Sequence, residues 1–535
     1  MNEVSEKDFK SLYPALKDAI NDACFIAIDA EFTGISKDED LKHSLFDTLD
    51  ERYQNLKKNI EQYKIIQFGI TLFRHSKENA YRADCYSFHL LQKPLPFKNR
   101  QLTFQLSALE FLCLHKFDFN KLISEGISCL DDADEEFLRT HIENGNLIND
   151  SELLSYEEKE DFKNCINMVS EWLSQNPEPE PLKLPAGTPI LQYMMQKQLR
   201  DSIKNIWTTS GYKTVDVLRV PKEVRDHLEE EDNNRLEDEL LDSYIGFSKV
   251  FKLLSACKKP FIGHNMLLDL MFIHQQFYKP LPDSYKQFKS NVHALFPRLY
   301  DTKYISFQFK KLFRRDEVYW KLNSLRALYE YFKSSGVQLS FNCPSIRSDK
   351  NLSGTETYHN AGFDSYCAGY IFIKMAHVFC VKKFGSGIEC KPVTNTELMS
   401  AVKHLENCVN ISRGNEMYMR FGGNDPSLSR PEWLHVKLKS PSIDRNELIK
   451  SFSIFSQVDV MPFARKRFLV AVPNHGSALS ILQHFKDSKE FQVVRYSRIW
   501  HATPITICLW SGVVLSGGMA WMIKQMFLKA SVPDS

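Results

Sequence analysis

The stretch that decides the fold is CFIAIDAEFTG, residues 24–34. Its apolar run has the length and composition of a buried β-strand, and the Thr-Gly pair predicts a turn after it. Asp29 and Glu31 are two positions apart, so their carboxylates lie on the same face of the strand. Burying two carboxylates is costly unless a cation lies between them, and Mg²⁺ prefers carboxylate oxygens. A strand end with two solvated acids is the alternative for this stretch alone.

A second stretch, FIGHNMLLDL at residues 261–270, follows the same plan of an apolar segment with an acid behind it. Asn265 and Asp269 are four positions apart, and such positions share one face of a helix. Asp269 can therefore point back to the sheet edge that carries Asp29. An ordinary helix start with Asn265 as its N-cap is the alternative. Asp301, in PRLYDTKYI, also follows an apolar stretch, but it lacks the Asn-x-x-x-Asp context, and we prefer Asp269 as a metal ligand.

The third stretch is YHNAGFDSYCAG, which places His359 five positions before Asp364 at a predicted loop-to-helix entry. A histidine with a pKa near its usual value of ~6.5 suits a general base. Taken alone, His359 also fits a helix cap or a surface residue. The combination carries more weight, because DxE, HNxxxD and HxxxxD follow one another in this order. This order resembles the DEDDh exonucleases, an α/β superfamily with an RNase H-like fold.

The resemblance implies a 3′→5′ exoribonuclease that hydrolyses single-stranded RNA and releases 5′-nucleotides. Carried over residue by residue, Asp29, Glu31, Asp269 and Asp364 bind two Mg²⁺ ions, which Mn²⁺ can replace. His359 is the general base, so the catalytic set is these four acids and this histidine.

Four longer stretches resemble poly(A)-specific ribonuclease and its membrane-bound relatives, the PARN-like ribonuclease domain-containing family. The likeness covers most of residues 15–385. It implies trimming of PIWI-bound piRNA precursors at the mitochondrial surface with a Tudor-KH adaptor protein, and a homodimer formed through the nuclease domain. A membrane-bound poly(A) deadenylase and a non-catalytic RNA-binding membrane scaffold are the alternatives. The stretches are IDAEFTGI (28–35), SLFDTLDERY (44–53), GHNMLLDLMFIHQQFYKPLP (263–282) and FPRLYDTKYI (296–305).

The predicted organisation is an interrupted nuclease followed by smaller parts. The insert occupies the place of the small Arg/His-motif domain of poly(A)-specific ribonuclease, but its motif is missing here. In the C-terminal domain Met461 stands where that enzyme presents a cap-binding Trp, so the likeness does not extend to cap recognition. The predicted parts are nuclease at 1–175, insert and acidic linker at 176–243, nuclease at 244–385, an α+β RRM-like domain at 395–500 and a transmembrane helix at 502–523.

The predicted transmembrane helix rests on a long run without charge near the C-terminus. No charged residue occurs from Ala502 to Ile523, and ~20 apolar residues suffice to cross a bilayer as a helix. Trp500 and Trp521 lie near its ends, where aromatic rings favour the membrane interface. The expected topology is a single-pass tail anchor in the mitochondrial outer membrane, with the endoplasmic reticulum as the alternative. A buried core helix is the other interpretation of this run.

The charge balance restricts how RNA is bound. Lys and Arg total 68 and Asp and Glu total 67, which excludes a polycationic chain and leaves only local patches for RNA. Phe32 is a candidate for stacking on the terminal base, or it packs in the core. Asn265, Lys310 and Arg314 are further candidates for RNA binding. Lys310 and Arg314 lie in a segment that also fits a simple amphipathic helix.

Twelve cysteines without a CxxC motif indicate a reducing compartment.

Overall fold

The computed structural model contains two compact units. The first contains Met1–Lys42, Tyr53–Ile411 and Tyr418–Asp425, and the second contains His43–Arg52, Ser412–Met417 and Pro426–Ser535. Described are residues 1–501 except 37–42, 77–78, 146, 148–152, 176–179, 232–234, 313–321, 323, 335–338, 340–341, 349–356, 390, 428–429, 440–443 and 498–500.

The first unit is built around a mixed sheet of seven strands in the order β1-β4-β3-β2-β8-β9, with β10 beside β4. Strand β2 is antiparallel to β3 and parallel to β8. A separate sheet, β5-β7-β6, belongs to the region predicted as an insert. The strands are β1 (Asn2–Val4), β2 (Phe25–Phe32), β3 (Ile65–Ser76), β4 (Ala80–His89), β5 (Leu182–Pro185), β6 (Ile206–Gly211), β7 (Thr214–Arg219), β8 (Phe261–Gly263), β9 (Leu299–Asp301), β10 (Ser345–Ser348), β11 (Cys408–Asn410) and β12 (Tyr418–Arg420).

Helices cover the sheet, and a π-helix, His274–Tyr278, continues one of them. The α-helices are α1 (Glu6–Asp22), α2 (Leu49–Ile60), α3 (Leu106–Leu114), α4 (Phe119–Glu125), α5 (Asp132–Glu143), α6 (Tyr156–Gln175), α7 (Pro189–Ser202), α8 (Lys222–Glu231), α9 (Arg235–Ile245), α10 (Ser248–Cys257), α11 (Leu267–Ile273), α12 (Tyr285–Leu295), α13 (Thr302–Leu312), α14 (Leu325–Lys333), α15 (Ala361–Phe384), α16 (Ser386–Glu389) and α17 (Asn395–Val402).

Strand β2 and helix α15 form the centre of the first unit. The first half of β2 is fully buried, as expected for a strand with neighbours on both sides and helices on its faces. Helix α15 is apolar nearly all round, which is typical of a helix inside a core. Its N-cap is Asn360, whose Oδ1 accepts hydrogen bonds from the backbone N–H groups of Gly362 and Phe363 at 3.0 and 3.4 Å. The predicted strand therefore lies beneath the helix that carries the third motif.

A close approach of backbone to backbone fixes α15 on the sheet at Gly69. Gly69 pairs with Asp29 across β3 and β2. A Cβ atom at Gly69 would lie 1.8 Å from the carbonyl oxygen of Ala361, which no side chain tolerates. Glycine inside a strand often marks such an approach. It allows the first turn of α15 to lie directly against the pair of strands that carries Asp29.

The second unit contains a four-stranded antiparallel sheet with strands and helices in the order βαββαβ. Its sheet order is β14-β15-β13-β16, and apolar side chains from the sheet and both helices form its core. Met461 is exposed on β14. The predicted domain boundaries stay predictions. The elements are β13 (Leu434–Leu438), α18 (Arg445–Ser453), β14 (Asp459–Ala464), β15 (Arg467–Ala471), α19 (His475–His484) and β16 (Phe491–Arg495).

The fold prediction that included a transmembrane helix is corrected. Within the part of the chain that the structure describes, no helix is both long and apolar enough to cross a membrane. The long apolar helix α15 carries Asp364 and Lys374 in its interior and packs in the core. The predicted span at 502–523 lies outside the described residues, so the fold is described without it.

We predict that Gly69→Ala displaces the start of α15. The added methyl group would overlap the Ala361 carbonyl, and overpacking of this kind costs about 1–3 kcal/mol of unfolding free energy. The midpoint of urea unfolding should fall, and exonuclease activity should fall with it because Asp364 moves. Gly187→Ala is the control, since an added Cβ there meets no atom within 4 Å among the described residues. An unchanged midpoint for Gly69→Ala would contradict the close approach.

Candidate active site

Strand β2 supplies the first two acids of the site. Asp29 and Glu31 are partly buried at the end of the strand, and their partners on β3 are Gly69 and Gln67. The period of two residues puts both carboxylates on one face. That face receives the third and fourth acids from separate helices.

Asp269 reaches this face from α11. Its carboxylate accepts a hydrogen bond from the backbone N–H of Ala30, the residue between Asp29 and Glu31. Only 8% of Asp269 is exposed. The turn before α11 contains Asn265 with a φ of 63°, a left-handed conformation that Asn tolerates better than most residues. The third acid therefore lies beside the two acids of β2.

Asp364 comes from the first turn of α15 and is held by contacts with β3. The side-chain oxygen of Gln67 accepts the backbone N–H of Ala361 at 2.9 Å. One turn further on, the hydroxyls of Thr71 and Ser365 are 2.7 Å apart. Because Gln67 faces Glu31 across the strands, these contacts bring Asp364 to the same site as Glu31.

The pKa values of all four carboxylates are raised, chiefly by burial. Burial raises the pKa of Asp269 and of Asp364 to about 7. Burial also raises the pKa of Asp29 well above its usual value, and the charges of Asp364, Asp269 and Glu31 add to the effect. The pKa of Glu31 is raised by burial and by Asp364 and Asp269. Such a cluster of like charges is stable as carboxylates only with cations among them.

The donor atoms fit divalent metal ions. Glu31, His359 and Asp364 each offer one ligand atom, and these atoms lie within 4.8 Å of one another. Oδ2 of Asp364 accepts the backbone N–H of His359 at 3.0 Å. Its Oδ1 is buried without a hydrogen-bond partner among the described residues, which is unusual for a buried carboxylate. Oxygen-rich sites of this kind suit Mg²⁺ or Mn²⁺.

His359 lies at the edge of the acid cluster. Its φ of 64° places it in a strained turn just before the Asn360 cap. Its ring centroid is 4.0 Å from that of His115 and 4.8 Å from that of Phe111. Burial, His115 and Arg326 lower its pKa, so the imidazole is neutral near pH 7 and can accept a proton.

Asp301 has a structural role that its sequence context did not reveal. It is fully buried, and its two oxygens accept backbone N–H groups from Asn265, Met266, Lys303 and Asn410 at 2.8, 3.4, 2.8 and 2.9 Å. Burial raises the pKa of Asp301, and these hydrogen bonds oppose that rise. Because two of the donors lie in the turn before α11, Asp301 holds the helix that carries Asp269.

The predicted substrate-binding residues lie in different settings. Phe32 stacks on Phe272 with centroids 4.3 Å apart, so one face of its ring packs against the protein. Asn265 is not the N-cap of α11, since Met266 occupies that position, and its Oδ1 accepts a hydrogen bond from Asn410 Nδ2 at 2.7 Å. Lys310 is 3% exposed, and burial lowers its pKa to about 8. Arg314 lies outside the described residues.

Two residues important for the site were missed from the sequence. Gln67 and Gly69 lie in KIIQFGITLF, residues 64–73, whose apolar pattern predicts no more than a strand. Their signal was a polar residue and a glycine inside an apolar strand; in the structure both pair directly with the acids of β2 and share their face of the sheet. Glycine at such a place suggests close backbone approach. The partner, the start of α15, is almost 300 residues away in sequence and could not be inferred from this stretch.

Comparison with known proteins shows the family of this chain. The family model described as CAF1 family ribonuclease matches residues 4–372. The chain belongs to the CAF1 family of ribonucleases. It is a 3′→5′ exoribonuclease, and the predicted enzyme class and the predicted relationship to poly(A)-specific ribonuclease are confirmed.

Several curated relatives match nearly the full chain. The pre-piRNA 3′-exonuclease trimmer of Bombyx mori is 37% identical, over 95% of this chain and 96% of that protein. The poly(A)-specific ribonuclease PNLDC1 of Mus musculus is 29% identical over 95% and 96%. Among solved structures, S. pombe Pop2p in its Mg²⁺- and Mn²⁺-bound form is 13% identical with a TM-score of 0.35, over 72% of this chain and 96% of that one.

We predict that Asp301→Asn weakens the site without changing any of its four acids. The amide presents N–H groups to backbone donors that need acceptors, and charged hydrogen bonds are worth about 1.5–3 kcal/mol each. The unfolding free energy should fall by at least about 2 kcal/mol, and activity should fall because the turn before α11 moves. Asp283→Asn is the control, because that side chain is exposed with a surface ion pair to Lys57. Equal melting temperatures for the two variants would contradict this role.

The stability of the metal-free protein should depend on pH. In the folded chain the pKa values of Asp269 and Asp364 are about 7, against about 3.9 when unfolded. The folded state therefore holds more protons between these values, and stability must fall as the pH rises through this window. Each additional proton contributes about 1.4 kcal/mol per pH unit. In EDTA the melting temperature should be lower near pH 8 than near pH 5.5.

The controls for this pH dependence are a variant and a metal ion. Asp364→Asn removes one of the titrating groups, so its melting temperature should change less between the two pH values. Added Mg²⁺ should raise the melting temperature more near pH 8, where the carboxylates are ionised. A wild-type melting temperature that rises from pH 5.5 to pH 8 in EDTA would rule out the raised pKa values.

Proposed function

We propose that this exoribonuclease trims the 3′ ends of PIWI-bound piRNA precursors, using two divalent metal ions. The observation that carries the catalytic part is that Asp269 on α11 and Asp364 on α15 approach Asp29 and Glu31 on β2 closely enough for their charges to raise the pKa of both. The substrate part is supported by the full-length similarity to the Bombyx mori trimmer, whose name states a pre-piRNA substrate.

The residues divide the work of phosphodiester hydrolysis. When bound, Mg²⁺ or Mn²⁺ supplies charge neutralisation at the scissile phosphate and favours ionisation of the attacking water. Asp29, Glu31, Asp269 and Asp364 would hold the ions. His359, neutral and at the edge of the cluster, accepts the proton of the water as the new P–O bond forms. The bond from phosphorus to the 3′ oxygen breaks and releases a 5′-nucleotide, and the 3′ oxygen takes up a proton from solvent to leave a 3′-hydroxyl on the shortened RNA.

A membrane-bound poly(A) deadenylase was the alternative substrate prediction. The relatives named poly(A)-specific ribonuclease favour a deadenylase as the second candidate. We keep this candidate without the membrane helix. RNA of mixed sequence and RNA with a poly(A) tail distinguish the two substrates.

The partners are proposed from the family resemblance. They are the PIWI protein that carries the RNA, a Tudor-KH adaptor protein and a second copy of the chain. Helix α3 offers one surface for such contacts, because Leu106, Phe111 and Leu114 are exposed on it and Phe111 contacts His359. The mass of the purified protein in solution tests whether a second copy binds.

We propose the mitochondrial outer membrane as the location of the protein. Imaging of the full-length protein in cells tests this location.

The catalytic proposal is tested with 5′-labelled single-stranded RNA and Mg²⁺. Asp29→Asn and Glu31→Gln should slow shortening by about 10³-fold or more, because metal ions contribute several kcal/mol and each 1.36 kcal/mol is tenfold in rate. His359→Ala should slow it by about 10²–10⁴-fold, the contribution of a general base. Asp18→Asn, an exposed acid on α1, should retain the wild-type rate.

Two results would overturn parts of this proposal. Equal rates for wild type and Asp29→Asn would remove the metal site from catalysis. Shortening of poly(A)-tailed RNA alone, with no trimming of mixed-sequence RNA loaded on a PIWI protein, would replace the piRNA substrate by poly(A). RNA binding without turnover by the wild-type protein would instead favour the non-catalytic RNA-binding protein, the remaining alternative.

A further inference from the structure

A cluster of three arginines lies in the second unit, and none of its members belongs to the active site. Arg52 lies near the end of the segment SLFDTLDERY, and the others are Arg413 and Arg430. Arg52 is 1% exposed, although arginine is rarely buried unless it is paired. The cluster therefore requires an explanation of what the guanidinium groups bind.

Carboxylates lie beside these arginines, but their oxygens already accept hydrogen bonds from backbone N–H groups. Oδ2 of Asp459 accepts the backbone N–H of Leu45 at 2.6 Å, and Oδ1 accepts Arg413 Nη2 at 2.5 Å. Oδ2 of Asp47 accepts the backbone N–H of Ser44 at 2.9 Å and is 3.5 Å from Arg52 Nη2. These acids hold the segments together and leave other guanidinium N–H groups unbonded.

The N–H donors that these acids do not bond belong to Arg52 and Arg413. Nε and Nη1 of Arg52 and Nε of Arg413 are buried without a hydrogen-bond partner among the residues that the structure describes. Arg430 donates to the carbonyls of Pro473 and Ser412 at 3.0 and 3.5 Å, which places it beside Arg413. The pKa of Arg52 is lowered to about 10, first by burial and then by the charges of Arg413 and Arg430, whereas the charge of Asp459 opposes this.

We propose that Arg52, Arg413 and Arg430 form a binding site for a phosphate oxyanion. A guanidinium group matches two phosphate oxygens with two parallel N–H donors, so one oxyanion can satisfy the buried donors. It also relieves the repulsion among the three cations. Arg413 is the accessible member, with 28% of its side chain exposed, so the ligand enters from its side. The ligand is free phosphate or a phosphate group of RNA.

The test is titration of the full chain with inorganic phosphate in EDTA at constant ionic strength. Wild type and Asp364→Asn should bind phosphate equally, which separates this site from the catalytic acids. Arg413→Gln should raise the Kd about tenfold or more, the effect of losing a charged hydrogen bond. Arg467→Gln is the matched control: it removes the same charge from an exposed position of the second unit, and it should not change the Kd.

Absence of saturable phosphate binding by wild type, or an unchanged Kd in Arg413→Gln, would overturn the site. Arg52→Met should abolish binding; because Arg52 is buried and this variant can unfold, Arg413→Gln decides. Competition identifies the source of the phosphate. Displacement by 5′-phosphorylated RNA alone indicates a terminal phosphate, displacement also by 5′-hydroxyl RNA indicates a phosphodiester, and displacement by neither indicates free phosphate. All three results support an oxyanion site.

Discussion

The structure of the site depends on one unfavourable interaction, the repulsion among four carboxylates held in a partly buried space. Asp29 and Glu31 come from β2, Asp269 from α11 and Asp364 from α15. Burial raises the pKa of all four, and the charges of Asp364 and Asp269 also raise those of Asp29 and Glu31. Backbone hydrogen bonds from Ala30 to Asp269 and from His359 to Asp364 oppose this rise only in part. The assembly persists because the surrounding backbone is also fixed by contacts that do not involve the four acids.

Those contacts come from the residues that surround the acids. Gly69 allows α15 to meet β3, Gln67 accepts the first N–H of that helix, and Asp301 holds the turn before α11 through backbone hydrogen bonds. Each acts on the element that carries an acid and not on the acid itself. Preorganisation of this kind removes the reorganisation that ligands would otherwise require when a metal binds. The stability of the fold thus supports a site that is itself destabilising in the absence of cations.

The sequence could predict the acids because their signal is local. A period of two in FIAIDAEF and a spacing of four in HNMLLD place carboxylates on defined faces, and the order of motifs identified the family. The roles of Gln67, Gly69 and Asp301 depend on partners far away in sequence, so no local pattern reveals them. Lys310 was a candidate for RNA binding, but it is buried. The sequence pattern does not show which face of α13 packs against the core, so this burial could not be predicted. The segment at 502–523 was interpreted from its hydropathy alone, and it lies outside the described residues.

Asp301 and Asp364 show how the structure separates acids that look alike in sequence. Both are buried aspartates that follow apolar stretches. Asp301 has backbone donors on both oxygens, so the protein already uses its hydrogen-bonding capacity. Asp364 has a donor on Oδ2, and its Oδ1 is buried without a hydrogen-bond partner among the described residues. A buried acceptor without a donor points to a cation, and by the same reasoning the buried donors of Arg52 point to an anion. The hydrogen-bond balance of a buried charge, more than its residue type, therefore separates a structural group from a binding group.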